Sequence, residues 1–430
     1  MKRTLFPLLL SGLLATSLCV PATTAHAQGR NLTDLGNSYA QIEIQALIDQ
    51  NIISGYEDNT FRPSASMTRQ EFATLLAKAL KLTPDSTAAA KFTDVEDWAR
   101  PYVGALVSAN LTSGTGTTTF GALEPISREQ LATFFIRAMG KSEEANTYAL
   151  TSSFADEGQT SDYAKPLVAL TQHIGFIKGS QGTSGWIFDP QGNAERQAVA
   201  RLAYEFSTHG TTYTGKADQI GRVIALLDQT DAAMNSLASF HATERMTASP
   251  DLVVAAEVDF TRSPFTAHET STVTGTDVDG QALNVQSESY VADGTAYMQS
   301  PDKTWGKMAF QGSLDDLVPS HNTSTKEYHA IAPYLTVTED ATTYTLSGTV
   351  PSVVLNKVVA APDASTPDVQ FQSAAYSFVL DKTTHYQVKS HTETALTTGE
   401  KSTFDMTLTN FNGVQPITVP DEIKTNATAM

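Results

Sequence analysis

Apolar positions recur at helical spacing in the first half of this chain and alternate in the second. Between residues 31 and 206, one run places Tyr102, Val103, Leu106 and Ala109 on a single face. Two others place Phe72, Leu75, Leu76 and Leu80, and Leu131, Phe134, Phe135 and Met139, in the same way. Such stripes predict amphipathic helices. Residues 207–216 are polar and glycine-bearing and predict a linker. A further helix is expected from about Ala217 to Leu237, with Ile220, Val223, Ile224, Leu227 and Met234 as its apolar stripe. After Ala242 the pattern becomes a Thr-rich alternation, as in Val254 to Phe260, Ala374 to Leu380 and Thr403 to Leu408. That predicts strands, with Asp279-Gly280 and Asp293-Gly294 as hairpin turns. The fold class is therefore a helical region followed by an α+β domain built of a leading helix and an antiparallel sheet.

The helical half repeats itself. Residues 39–80 align with residues 98–139 at a constant offset of 59 without a gap. Tyr39-Ala40 falls on Trp98-Ala99, Gly55 on Gly114, Phe61 on Phe120, and Arg69 on Arg128. A third copy begins at Tyr163 and brings Phe188 and Arg196 to the corresponding places after a short insertion near Gly182. Each copy reads as a loop with an acid (Asp34, Asp94, Asp156), a helix, a glycine turn (Gly55, Gly114, Gly179), an inward aromatic and a second helix. A repeat of this length is one supersecondary unit stacked on its copies. The expected boundaries are 31–84, 90–143 and 152–208, then a linker at 209–216 and the second domain at 217–430.

The second helices start with a capping box: Thr68-Arg69-Gln70-Glu71, and Ser127-Arg128-Glu129-Gln130 with Gln in place of Glu. Capping alone leaves the arginine unexplained, because a cation in the first turn opposes the helix dipole. All three copies keep one: Arg69, Arg128 and Arg196. An arginine beside exposed first-turn N–H groups would form a receptor for an anion, with a planar fork suited to a carboxylate. Thr68 and Ser127 join the arginines as candidate binding residues. Such charge-assisted bonds contribute roughly 1.5–3 kcal/mol each, and several along one polymer would gain by avidity.

These residues resemble the S-layer homology (SLH) repeat of bacterial cell-surface proteins. The similar stretches are Phe92-Thr93-Asp94-Val95, Trp98-Ala99, Gly55-Tyr56-Glu57-Asp58-Asn59-Thr60-Phe61-Arg62-Pro63 and Thr68-Arg69-Gln70-Glu71. The resemblance implies a three-repeat module that binds a secondary cell-wall polysaccharide, often pyruvylated, in grooves between repeats. It carries the family's arginine onto Arg69, Arg128 and Arg196. Departures from the family pattern are Leu32 in place of Phe, Gly114 to Phe120 without the usual aromatic and acid, and Glu195-Arg196-Gln197-Ala198 without the capping acid. They rank the Arg69 site first and the Arg196 site last. The C-terminal half resembles exported lipoprotein-carrier (LolA-like) proteins through its leading helix, Glu288 to Met298, Trp305, and Phe411-Asn412 before Ile417 to Pro420. That resemblance implies a curved half-barrel sheet around an apolar cavity that takes a hydrophobic ligand.

Charge and address narrow the partners. Met1-Lys2-Arg3, an apolar run from Leu5 to Val20 and Ala25-His26-Ala27 read as a signal peptide over 1–27. The single cysteine, Cys19, lies within it, which suits a bacterial surface protein better than a disulfide-stapled one. No later stretch reaches the ~20 residues of a spanning helix. The formal net charge of −18 disfavours nucleic acid and anionic membranes. No catalytic elbow, zinc signature or phosphate loop is present, so no catalytic, metal-ligating or cofactor-binding residue is expected. Ser300-Pro301-Asp302-Lys303 reads as a turn, Asp277 to Gly280 as a turn rather than a calcium loop, and His321 and His329 as scattered surface histidines. The expected protein is a non-enzymatic, secreted cell-wall protein. The alternatives are an S-layer structural subunit and a wall-bound hydrolase.

Overall fold

The computed structural model describes residues 32–148, 150–249, 252–276, 280–312, 329–358 and 370–430. The expected signal peptide, Asp277 to Asp279 and His321 lie outside these residues.

The helical region contains α1 (Gln41–Asp49), α2 (Arg69–Ala79), α3 (Arg100–Ser108), α4 (Arg128–Ala138), α5 (Ser142–Tyr148), α6 (Lys165–His173) and the start of α7 (Arg196–Asn235). The inward aromatics Phe61, Phe120 and Phe188 are fully buried. Each inward turn is held by the acid that opens its copy. Asp34 accepts from the N–H groups of Phe61 and Arg62 (2.8 and 2.7 Å). Asp94 accepts from Phe120, Gly121 and Ala122 (2.9, 2.7 and 3.0 Å). Asp156 accepts from Phe188 and Asp189 (2.8 and 2.6 Å). The turn glycines have a steric reason. Gly114 and Gly179 have φ of +92° and +72°, and a side chain at either would collide with the ring of Phe92 or Phe154.

The segments before α2, α4 and α7 close a ring. Met67 N–H donates to Ala194, Ala194 N–H to Ile126, and Ile126 N–H to Met67, at 2.9–3.0 Å. Three sequence-distant segments thus satisfy one another's backbone groups around a common axis.

α7 corrects the expected linker. It runs unbroken for 40 residues through 209–216. Gly210 and Gly215 weaken a helix by about 1 kcal/mol each relative to Ala, but this stretch is packed. Phe206 lies 5.4 Å from Phe135, and Tyr213 lies 5.0 Å from Phe176. Lys216 Nζ donates to the Ile174 carbonyl (3.2 Å). Tertiary contact overrides local propensity here. The stripe Ile220, Val223, Ile224, Leu227 and Met234 is buried as expected.

After a small hairpin of β1 (Ser180–Gly182) and β2 (Gly185–Ile187), a curved sheet of twelve strands among the described residues includes β9 (Thr336–Glu339), β12 (Gln387–Leu396) and β13 (Lys401–Thr409) and runs in the order β14-β8-β7-β6-β5-β4-β3-β13-β12-β11-β10-β9. All neighbours are antiparallel except β14 (Thr428–Ala429) against β8 (Trp305–Ala309). Strands β3 to β6 form a meander over Ser239–Ser249, Leu252–Arg262, Phe265–Thr276 and Ala282–Ala292. The Asp293-Gly294 turn joins β6 to β7 (Thr295–Gln299), with both residues at positive φ. Ser300 to Lys303 forms the tight turn from β7 to β8, where Lys303 N–H bonds the Ser300 carbonyl (2.8 Å).

Phe240, Ala242, Val258, Phe260, Met406 and Leu408 cluster on the inner face under Met234 and Leu237 at the end of α7. The same face also carries carboxylates. Glu244 stands opposite Ala256, and Glu269 stands opposite Val258 and Ser289. Burial and the nearby Glu269 push the Glu244 carboxyl above its ordinary range. The face is more polar than a cavity for a purely apolar ligand would be.

At the other end, β10 (Thr343–Pro351) and β11 (Phe371–Asp381) share one core with the helices through Ile331, Ala332, Leu335, Leu346 and Phe378. His329 sits at this junction, 8% exposed. It bonds Asp228 of α7 (2.8 Å) and the Tyr148 carbonyl (3.2 Å), so it is not the surface residue the sequence suggested.

Candidate functional site

Thr68 and Ser127 form the expected capping boxes with Glu71 and Gln130. Their hydroxyls are thereby engaged. The third helix start, Glu195, has no side-chain cap.

The helix starts do not offer free N–H groups, and this corrects the sequence reading. Arg69 and Gln70 N–H groups donate to the carbonyls of Glu124 and Ala122. Arg128 and Glu129 donate to Gly192 and Pro190, and Arg196 and Gln197 to Ala65 and Pro63. Each copy's first turn is satisfied by the backbone of the copy beside it. Any anion recognition must come from the guanidinium groups themselves.

Those groups cross between copies in a cycle. The Arg69 guanidinium lies 5.0 Å from the rings of Phe120 and Phe134 in the second copy. Arg128 reaches Phe188 in the third, with Nε donating to its carbonyl (2.6 Å). Arg196 returns to Tyr56 and Phe61 in the first. The arginines are not exposed first-turn residues. Arg69 and Arg196 are 7% and 4% exposed, and Arg128 is half-buried.

Two of these arginines line clefts, and Arg69 marks a further, related position. The first lies over residues 52–56 and α2, and is lined by Glu71, Lys78, Trp98 and Arg196 in a cleft of about 190 Å³. The third is a cleft of about 420 Å³ lined by Tyr39, Arg128, Lys178, Trp186, Arg201 and Glu205. Positions 59 residues beyond Glu71 and Lys78 are Gln130 and Arg137, and these stand with Arg69 and the third copy's Tyr163 at the second. There Arg69 Nη1 donates to Gln130 Oε1 (3.1 Å). Burial lowers the pKa of Arg69 to about 10, with the nearby Arg137 charge adding to the effect; it remains a cation at neutral pH.

The sequence reading passed over one member of each groove. Tyr39, Trp98 and Tyr163 are equivalent positions and large aromatics left 59%, 50% and 52% exposed. Their recurrence beside Ala40, Ala99 and Ala164 was the available signal. Trp98 Nε1 donates to Glu96 (2.7 Å) and Tyr163 to Glu129 (3.1 Å), which orients both rings.

Comparison with known proteins agrees with this geometry. Residues 31–73 and 91–132 match the S-layer homology domain, and residues 223–428 match a family of unknown function, DUF6612. The chain thus carries S-layer homology domains, which place it at the cell surface. It is 26% identical over 207 residues to the surface-layer 125 kDa protein of Lysinibacillus sphaericus, covering 48% of this chain and 17% of that one. It is 28% identical over 180 residues to an amylopullulanase of Thermoanaerobacterium thermosulfurigenes, covering 41% and 9%. The chain therefore spans less than a fifth of the length of either relative. The solved Mycobacterium tuberculosis lipoprotein LppX is similar at 17% identity and a TM-score of 0.29, covering 46% of this chain and 99% of that one. No helix among the described residues is long and apolar enough to cross a membrane.

Proposed function

We propose that residues 31–208 form a three-repeat anchoring module whose grooves bind a carboxylate-bearing secondary cell-wall polysaccharide, and that the sheet domain is displayed from it without enzymatic activity. The observation that carries this reading is the cyclic crossing of Arg69, Arg128 and Arg196 between copies, each beside an exposed aromatic. A guanidinium fork suits a carboxylate substituent, and an aromatic face suits the apolar C–H face of a sugar ring. One such contact is weak; repetition along a polymer supplies avidity. The boundary of the displayed domain lies within α7 rather than at a linker. Its inner face, with Glu244 and Glu269 among apolar rows, suits a ligand with polar and apolar parts better than a bare acyl chain.

Because Arg69 is buried, alanine would leave a cavity, so lysine is the cleaner probe. Arg69→Lys and Arg128→Lys keep the charge and lose the fork. Each is expected to weaken wall binding about tenfold with unchanged near-ultraviolet circular dichroism. Wild-type affinity in the double lysine variant would overturn the arginine reading.

A second reading, in which the sheet domain is a hydrolase, draws on the amylopullulanase among the relatives. Zymography against wall polysaccharide tests it. The anchoring reading expects no cleared band.

A further inference from the structure

Among the positions at which the grooves differ is the one two residues after each arginine: Glu71, Gln130 and Ala198. In the first groove every nitrogen of the Arg196 guanidinium is already used. Nε donates to the Phe61 carbonyl (2.9 Å), Nη1 to Glu71 Oε1 (2.9 Å) and Nη2 to the Ser54 carbonyl (3.4 Å). The same Glu71 oxygen accepts from the Tyr56 hydroxyl (3.3 Å). Its other oxygen holds the helix cap through Thr68 N–H (2.8 Å). Glu71 therefore makes the contacts that a ligand carboxylate would make.

The second groove lacks this acid. Gln130 keeps the cap, accepting from Ser127 N–H (3.4 Å), and offers Arg69 only a neutral amide oxygen. Arg69 Nε is buried without a hydrogen-bond partner, an arrangement that is costly unless a ligand completes it. No carboxylate forms an ion pair with Arg69 or Arg137 among the described residues. In the third groove Ala198 cannot reach Arg128, whose hydrogen bond is to the Phe188 carbonyl.

We propose that Glu71 is a built-in counter-ion that closes the first groove to anions, whereas the second groove, with Arg69 and Gln130, stays open to a carboxylate of the polymer. This rests on the anchoring reading above and refines it by assigning unequal roles to the copies. It reverses the naive expectation for an acid beside a binding arginine, since removing Glu71 should improve binding.

The chain supplies its own conservative test. Glu71→Gln places at the first groove what the second already has, and Gln130→Glu does the converse, so either cap can form. The affinity of the full chain is measured by calorimetry for soluble polymer released from walls, with its carboxylates free or methyl-esterified. Glu71→Gln is expected to bind the free-acid polymer three- to tenfold more tightly. Gln130→Glu is expected to bind it at least tenfold more weakly. With the esterified polymer both variants should match wild type. Wild-type binding that neither swap alters, or a loss of affinity in Glu71→Gln, would overturn the counter-ion assignment and leave the anchoring reading standing. Failure of wild type and both variants to bind the free-acid polymer would overturn both.

Discussion

Asp94 shows what a single recurring acid does in this protein. Its carboxylate gathers three successive backbone N–H groups and fixes the turn that carries Phe120 into the core. Burial pushes its pKa upward, but the three N–H groups outweigh that and hold it below the ordinary carboxylate value. A depressed pKa means the contribution is present above the unfolded value and is lost as pH falls toward the folded one. Asp94→Ala is expected to cost about 2 kcal/mol or more, from hydrogen bonds to a charged acceptor. Urea titration at pH 7 and near pH 3 checks it. The gap between wild type and variant should shrink at the lower pH, and an equal gap at both would refute the clasp. The recurrence of Asp34, Asp94 and Asp156 was legible in the sequence, but their partners were not. The N–H groups they bind lie 26 to 33 residues away, beyond the reach of a local pattern. The arginines behave likewise. Arg196 meets Glu71 at a separation of 125 residues, so their recurrence could be read while their burial could not.

At the scale of elements, apolar stripes and capping boxes identified most helices correctly, because both signals are local. The segment at 209–216 failed for the same reason. Its glycines and threonines are what a linker looks like, and only Phe135, Phe176 and Ile174 from elsewhere make it a helix. Thr212 is exposed on α7, so a change there acts through the backbone alone. Thr212→Pro should cost about 3 kcal/mol or more, since proline removes a helical hydrogen bond and clashes with the preceding turn. A lowered midpoint in thermal unfolding is expected; an unchanged midpoint would restore the linker. The sheet was readable as alternation, and the Asp293-Gly294 hairpin formed as expected. Its register against the helices was not, because His329, Ile331 and Leu335 meet them only after folding.

For the whole molecule, the helices and the β10–β11 end of the sheet share one apolar core, and the long α7 passes through both. A cut at residue 210 would sever that helix and expose the core, so wall binding is best measured on the chain from residue 28 onward. The most direct measurement is sedimentation of that chain with purified cell walls, before and after chemical removal of the secondary polymer. The account expects the protein to pellet with polymer-bearing walls and to stay in solution with stripped ones. Equal pelleting with both would contradict it.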